Sequence, residues 1–310
     1  MAPVIRELSL DDVPSAAALL VGRHASHLVS QPLLGPLDQV AAERAVSALL
    51  STDGAAGLVA VEGGVVVGYL IGTSKDGAAW GSNAWVEAAG CAGQQLRDLY
   101  AVAASTWRAE GRTAHYALVP PALADPFFWL AFGVQQVHAA RPVDGPVAVD
   151  PRVRPAEQRD VEALAHLDVR FDEHFQTSPV FSAAAVSTYE ERLADWQESF
   201  GDPDYPTFVA EVDGVVVGSA VACDVAKSPA NAGLVSPERA AFLGFASVAP
   251  EARGLGLGRA LGEAVRGWAA DEGYPTICTD WRSTNLTADR TWRALGYEPT
   301  FLRLHRHLGY

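Results

Sequence analysis

Val248-Ala-Pro-Glu-Ala-Arg-Gly-Leu-Gly-Leu-Gly-Arg259 is the stretch that decides the fold. It follows an apolar, strand-like run from Ala241 to Val248 and opens a helical pattern from Arg259 to Ala270. A Gly-rich turn at such a junction lets the backbone approach a ligand closely. The new helix then aims free N–H groups and a positive dipole end at that ligand, forming an anion cradle. The plain alternative is a turn that serves only chain reversal and helix packing. A dinucleotide fingerprint, G-x-G-x-x-G/A, fails in both registers: Gly254-x-Gly256 meets Arg259, and Gly256-x-Gly258 meets Leu261. A P-loop fails for want of Gly-Lys-Ser/Thr.

Downstream, Gly273 stops the helix and Pro275 to Trp281 (PTICTDW) reads as a short strand. Asn285-Leu-Thr-Ala288 and Thr291-Trp-Arg-Ala-Leu-Gly-Tyr297 follow. Arg253-x-x-Gly256-x-Gly258 resembles the R-x-x-G-x-G signature of the GNAT acetyltransferases. The Asn after the strand, the short helix and the Leu-Gly-aromatic ending resemble their second motif. The resemblance implies an α/β fold, a mixed and mostly antiparallel sheet flanked by helices, with acetyl-CoA as acyl donor and co-substrate. It also implies roles for individual residues. The backbone of Arg253, Gly254, Leu255, Gly256, Leu257, Gly258 and Arg259 would hold the pyrophosphate, with the Arg side chains secondary. The strand Ala241 to Val248 would pair with the pantetheine arm through Ala246 and Val248, an N–H near Val248 facing the thioester oxygen. Asn285 would hydrogen-bond the pantetheine; a helix N-cap is its other role, and the two are compatible. Trp292 takes the cofactor-side position where many members have a Tyr that protonates the leaving thiolate. An indole N–H is no acid near neutral pH.

Acyl transfer to an amine needs an anchored donor, a proton acceptor and oxyanion donors. The strand AFLGFASV lacks the Glu that many members carry there. Asp280, five residues before Asn285, matches a position where some members place a catalytic Glu. Strand alternation turns it away from Ile277 and Trp281. Its other role is a carboxylate paired with Arg282 or Arg290. For the acceptor, Phe171-Asp-Glu-His-Phe175 offers Phe171, Glu173 and His174 as candidate substrate-binding residues. A solvated helix end is the alternative, and a His at the matching place in the first half, His24, favours a structural role for His174.

The chain has 310 residues, enough for two domains, and is 49% hydrophobic, enough for full cores. It has no apolar run of about 18 residues and no export signal at Met1–Leu10, which predicts a soluble, cytoplasmic protein. Three separated cysteines (Cys91, Cys223, Cys278) make neither a disulfide framework nor a zinc site, and the histidines show no metal spacing, so no metal is expected. A net charge of −14 argues against nucleic acid as a partner and suits a cationic amine, as well as simple solubility.

The chain repeats itself. Leu58-Val-Ala-Val-Glu-Gly-Gly-Val-Val-Val-Gly68 recurs as Phe208-Val-Ala-Glu-Val-Asp-Gly-Val-Val-Val-Gly218, each a hairpin. Arg6 to Val13 matches Arg154 to Val161, and Trp129-Leu-Ala-Phe-Gly-Val134 echoes Trp292 to Tyr297. A Pro-rich stretch from Arg141 to Pro155 separates the copies, giving domains 1–145 and 151–310. Opposite the cradle the first copy has Cys91 to Leu96, opposite Asn285 it has Ala122, and opposite Asp280 it has Ala117. It keeps the frame and loses the chemistry, and its expected role is to shape the acceptor pocket. Trp80, Trp85, Phe127, Phe128 and Trp129 are core candidates or, alternatively, a pocket lining. The whole resembles the tandem actinobacterial type with a degenerate N-terminal copy. The expected activity is acetyl transfer to a small-molecule amine. Protein acetylation at Lys or an N-terminus, and a non-catalytic acyl-CoA sensor, are the rivals.

Overall fold

The computed structural model describes residues 3–77, 81–91, 93–148, 150–182, 185–228, 237 and 239–309. Its elements in chain order are β1 (Val4–Glu7), α1 (Val13–Ser30), α2 (Gln39–Leu50), β2 (Ala55–Glu62), β3 (Val65–Gly77), β4 (Gly81–Gly90), α3 (Gly93–Ala109), β5 (Ala114–Val119), α4 (Asp125–Phe128) and β6 (Gly133–Pro142). They continue as β7 (Val153–Pro155), α5 (Val161–Gln176), α6 (Tyr189–Ser199), β8 (Thr207–Val212), β9 (Val215–Asp224), β10 (Ala240–Val248), α7 (Leu257–Asp271), β11 (Thr276–Arg282), α8 (Leu286–Ala294) and β12 (Glu298–His307).

The chain makes two compact units, neither of them one stretch of sequence. Unit 1 takes Met1–His138 with Pro299–Tyr310, and its strands lie in the order β1-β2-β3-β4-β5-β12-β6. Unit 2 takes Ala139–Asn231 with Arg239–Glu298. Its order is β7-β8-β9-β10-β11, then the Ala139–Pro142 end of β6. Among the described ladders, β4–β5 and β10–β11 are parallel and the others antiparallel. The α/β class and the mostly antiparallel, helix-flanked sheet are as expected. The boundary expected at 145–151 is linear and the units are not. The reason is β12, which pairs with β5 from Leu302↔Val119 to His307↔Ala114 and buries Leu304 in the core of unit 1.

The repeat has a structural counterpart at each end. The hairpin turns Gly63-Gly64 and Asp213-Gly214 both place two consecutive residues at positive φ, as a two-residue turn matched to strand twist requires. Asp12 and Asp160 each accept two guanidinium hydrogen bonds, from Arg6 (2.6 and 2.7 Å) and from Arg154 (2.7 and 3.0 Å). β4 bulges at Glu87, between Val86 and Ala88, and β10 bulges at Gly244, between Leu243 and Phe245.

In unit 2, α7 buries Leu257, Leu261, Val265 and Ala269 at helical spacing. Its Arg266 is buried, ion-paired with Glu263, and donates to the carbonyls of Asp144, Gly145 and Pro146. This fastens the Pro-rich stretch to α7. Arg141 also reaches Glu263, at 3.2 Å.

Candidate functional site

The site begins where two parallel strands part. The β10–β11 ladder runs from Ala240↔Thr276 to Leu243↔Thr279, and Thr279 Oγ1 donates to the Leu243 carbonyl at 2.9 Å. Past the Gly244 bulge, β10 continues to Val248 with β9 as its partner among the described ladders. The side of Ala246–Val248 turned toward β11 is thus an open strand edge, ready to accept an extended chain.

Directly after this edge the backbone turns into α7. Gly254 (φ 83°) and Gly256 (φ 79°) are left-handed, and Gly256 is the N-cap of α7. The first-turn amides of Leu257, Gly258 and Arg259 have no intrahelical acceptor and face outward from a positive helix end. Gly258 differs from the other two in its backbone, which is helical and not left-handed; a Cβ there meets Thr291 and Val248 at 3.8 and 3.9 Å, ordinary contact distances.

These parts line one cavity of about 440 Å³, a size usual for a small-molecule site. β10 contributes Ala246, Ser247 and Val248, and the cradle contributes Arg253, Gly254, Gly256, Leu257, Gly258 and Arg259. α8 and its N-cap add Asn285, Arg290, Thr291 and Trp292, and α5 adds Arg170, Phe171 and His174. Arg170 grips Glu251 with two hydrogen bonds of 2.7 Å, which ties α5 to the turn that leads into the cradle. Arg253, Arg259 and Arg290 make no ion pair among the described residues, so the cavity is cationic within an acidic protein. His174 is half-buried, and its pKa is lowered by desolvation and then by the charge of Arg253. Asn285 is the N-cap of α8, its Oδ1 accepting from Ala288 N at 3.2 Å, and the residue also lines the cavity.

Residues 168–297 match the model of the acetyltransferase (GNAT) family. They form a GNAT acetyltransferase domain. The whole chain is similar in fold to a GCN5-related N-acetyltransferase from Sphaerobacter thermophilus, at 15% identity and TM-score 0.60, covering 99% of this chain and 96% of that one. It is also similar to the glucosamine N-acetyltransferase region of a fungal multi-domain GH3 β-N-acetylglucosaminidase, at 14% identity and TM-score 0.55, over 98% of this chain and 38% of that one. A sequence comparison with curated proteins gives no match.

Within the GNAT domain three expected residues lie off the cavity wall. Leu255 is half-exposed (48%) and outside the lining, between two glycines that are inside it. Glu173 is exposed, because Phe171 and His174 three residues apart share the helix face that looks inward and Glu173 does not. Asp280 is half-buried, one residue beyond the end of the β10–β11 ladder, on the opposite strand face from Ile277, Thr279 and Trp281. No carboxylate lines the cavity among the described residues. Trp292 is buried against Gly262 of α7 while lining the cavity, and Tyr297 meets its ring edge-on at 6.0 Å. Burial raises the Tyr297 phenol pKa, so it is no stand-in acid. Arg170 and Arg290 also line the cavity, from α5 and α8, and no local sequence pattern brings these two separate helices to the cradle.

Unit 1 has a remnant of the same place. The matched bulges put Ala89 of β4 where β10 has Ala246, and Arg23 Nη1 donates to the Ala89 carbonyl at 2.6 Å. The cavity there shrinks to about 10 Å³, lined by Arg23, Cys91 and apolar side chains including Phe127. Burial pushes the Cys91 thiol up to about 12, so it stays protonated. Phe127 is core, Trp85 stacks on Tyr116 at 4.6 Å, and Phe128 and Trp129 are exposed. Trp80 lies outside the described residues. Counted from the matched Asp12 and Asp160, His24 falls opposite Asp172, not His174, and its Nε2 is bound to the Gly35 carbonyl at 2.8 Å. His24 therefore says nothing about the role of His174. The bulges and ladder starts likewise place Leu118, and not Ala117, opposite Asp280.

Proposed function

We propose that unit 2 transfers an acyl group, in the first instance acetyl, from acyl-CoA to the amine of a small molecule. One observation carries this: a single cavity joins an open strand edge, a helix N-terminus with outward amides, and three arginines that make no ion pair among the described residues. The strand edge suits the amides of a pantetheine arm, and the cradle suits a diphosphate. Bound acyl-CoA would supply the thioester carbon. Ala246 to Val248 would align the arm, Arg253 to Arg259 would anchor the anion, and Asn285 would fix the pantetheine.

The acceptor is assigned as a cationic amine. The protein carries −14, and α6, packed on α5, bears Glu190, Glu191, Asp195 and Glu198. With the phosphates of a bound acyl-CoA offsetting the cavity arginines, this acidic surround would favour a cationic acceptor. Asp280, beside the strand parting, is assigned to receive the amine proton through water. A carboxylate of ordinary pKa about 3.9 is a weak base for an ammonium. The rate should therefore rise with pH as the free-amine fraction of the acceptor grows.

A cavity wall with no carboxylate among the described residues, and Trp292 where a phenol is usual, favour a second reading: acyl-CoA binding without transfer. Thiol release from acetyl-CoA, measured with a panel of aminated metabolites, separates the two. Wild type should release thiol only with an acceptor, Gly258→Trp should lose binding, and Asp280→Ala should bind acetyl-CoA but turn over roughly 10²-fold more slowly. Tight binding of acetyl-CoA with no release for any amine would leave the sensor reading standing.

A further inference from the structure

His174 sits on the last turn of α5 and lines the same cavity as the anion cradle, near enough to Arg253 for that charge to act on it. We propose that His174 takes up a proton when the diphosphate of the acyl donor enters the cavity, so that donor capture tightens in mildly acidic solution. The proposal rests on the acyl-CoA reading of the same cavity.

The surroundings supply the reason. The charged groups of the cavity and its edge are Arg170 and Glu173 on the same helix, Glu251 on the turn before the cradle, Arg253 and Arg259 in the cradle, and Arg290 on α8; of these, Arg253 acts on the imidazole directly. Glu251 is held by Arg170, and Glu173 points to solvent. What remains inside the cavity is cationic, and it opposes a further positive charge. Desolvation acts the same way, so His174 is largely neutral near pH 7 while the cavity is empty. A diphosphate reverses the balance: it offsets the guanidinium charges and offers oxyanions to an imidazolium. The C-terminal end of α5 adds a small preference for the cation. Between the lower pKa of the empty form and the higher pKa of the loaded form, binding consumes protons. Affinity then falls with rising pH, at most tenfold per pH unit.

Calorimetric titration with dephospho-CoA tests this, since its diphosphate has no proton titrating near neutrality. Titrations at pH 6.5 in buffers of different ionisation heat count the protons taken up. Wild type should take up a measurable fraction of one proton, and its Kd should weaken by about threefold to tenfold between pH 6 and pH 8. His174→Gln should take up none and show a flat Kd, close to the wild-type value at pH 8. Equal proton uptake by the two proteins overturns the role of His174 and leaves the acyl-CoA reading intact. Failure of wild type to bind either dephospho-CoA or CoA overturns both.

Discussion

Gly256 and Gly258 are two residues apart and do different work. Gly256 is fixed by its backbone at φ 79°, where an L side chain costs about 1–2 kcal/mol. Gly258 has ordinary helical backbone and open space on the cavity side. Gly256→Ala should therefore lower stability by about 1 kcal/mol in thermal unfolding. Gly258→Ala should keep or raise stability, since Ala outranks Gly in a helix by up to about 1 kcal/mol, and should weaken acetyl-CoA binding in titration. The glycine pattern was legible as a cradle because its spacing is local. Which glycine serves the chain and which serves the ligand was not, because φ is absent from a sequence. Glu173 shows the converse: the i, i+3 relation of Phe171 and His174 already excluded it from their face.

The helix starts were the most readable elements. Arg6-x₅-Asp12 and Arg154-x₅-Asp160 repeat one device, in which the Asp carboxylate caps a turn and receives a forked guanidinium. The Arg154 pairing holds the Asp160 pKa below the ordinary carboxylate range. The folded value lies below the unfolded value of about 3.9, so this contribution to stability is present above that pH and is lost as pH falls through the folded value. Asp160→Asn should lose stability at pH 7 and show a shallower decline in acid, measured by denaturant unfolding from pH 7 down to pH 3. On α7, Arg266→Met removes one of the two arginine partners of buried Glu263 and the donor to three linker carbonyls. It should destabilise by about 3 kcal/mol, read as a fall in the denaturation midpoint. The sequence marked the Pro-rich stretch as a linker; its attachment to α7, through Arg266 to three carbonyls and through Arg141 to Glu263, is tertiary and left no local trace.

At the scale of the molecule, the repeat gave the two-unit architecture but not the ownership of the last strand. Hairpins declare themselves through turn residues, whereas β12 reaches β5 across most of the chain, and nothing in its own residues names that partner. A fragment of residues 1–145 should therefore fail to fold, by circular dichroism and gel filtration. Addition of a peptide covering residues 296–310 should restore ordered strand signal; folding of the fragment alone would show that β12 is dispensable to unit 1. The placement of β12 also affects how the protein is made. A ribosome emits β5 and β6 early and must then produce all of unit 2 before β12 emerges, a delay on the order of ten seconds or more at ordinary elongation rates. Throughout that interval the first-made half waits with unpaired strand edges, so its survival in the cell depends on how well nascent-chain chaperones shield it.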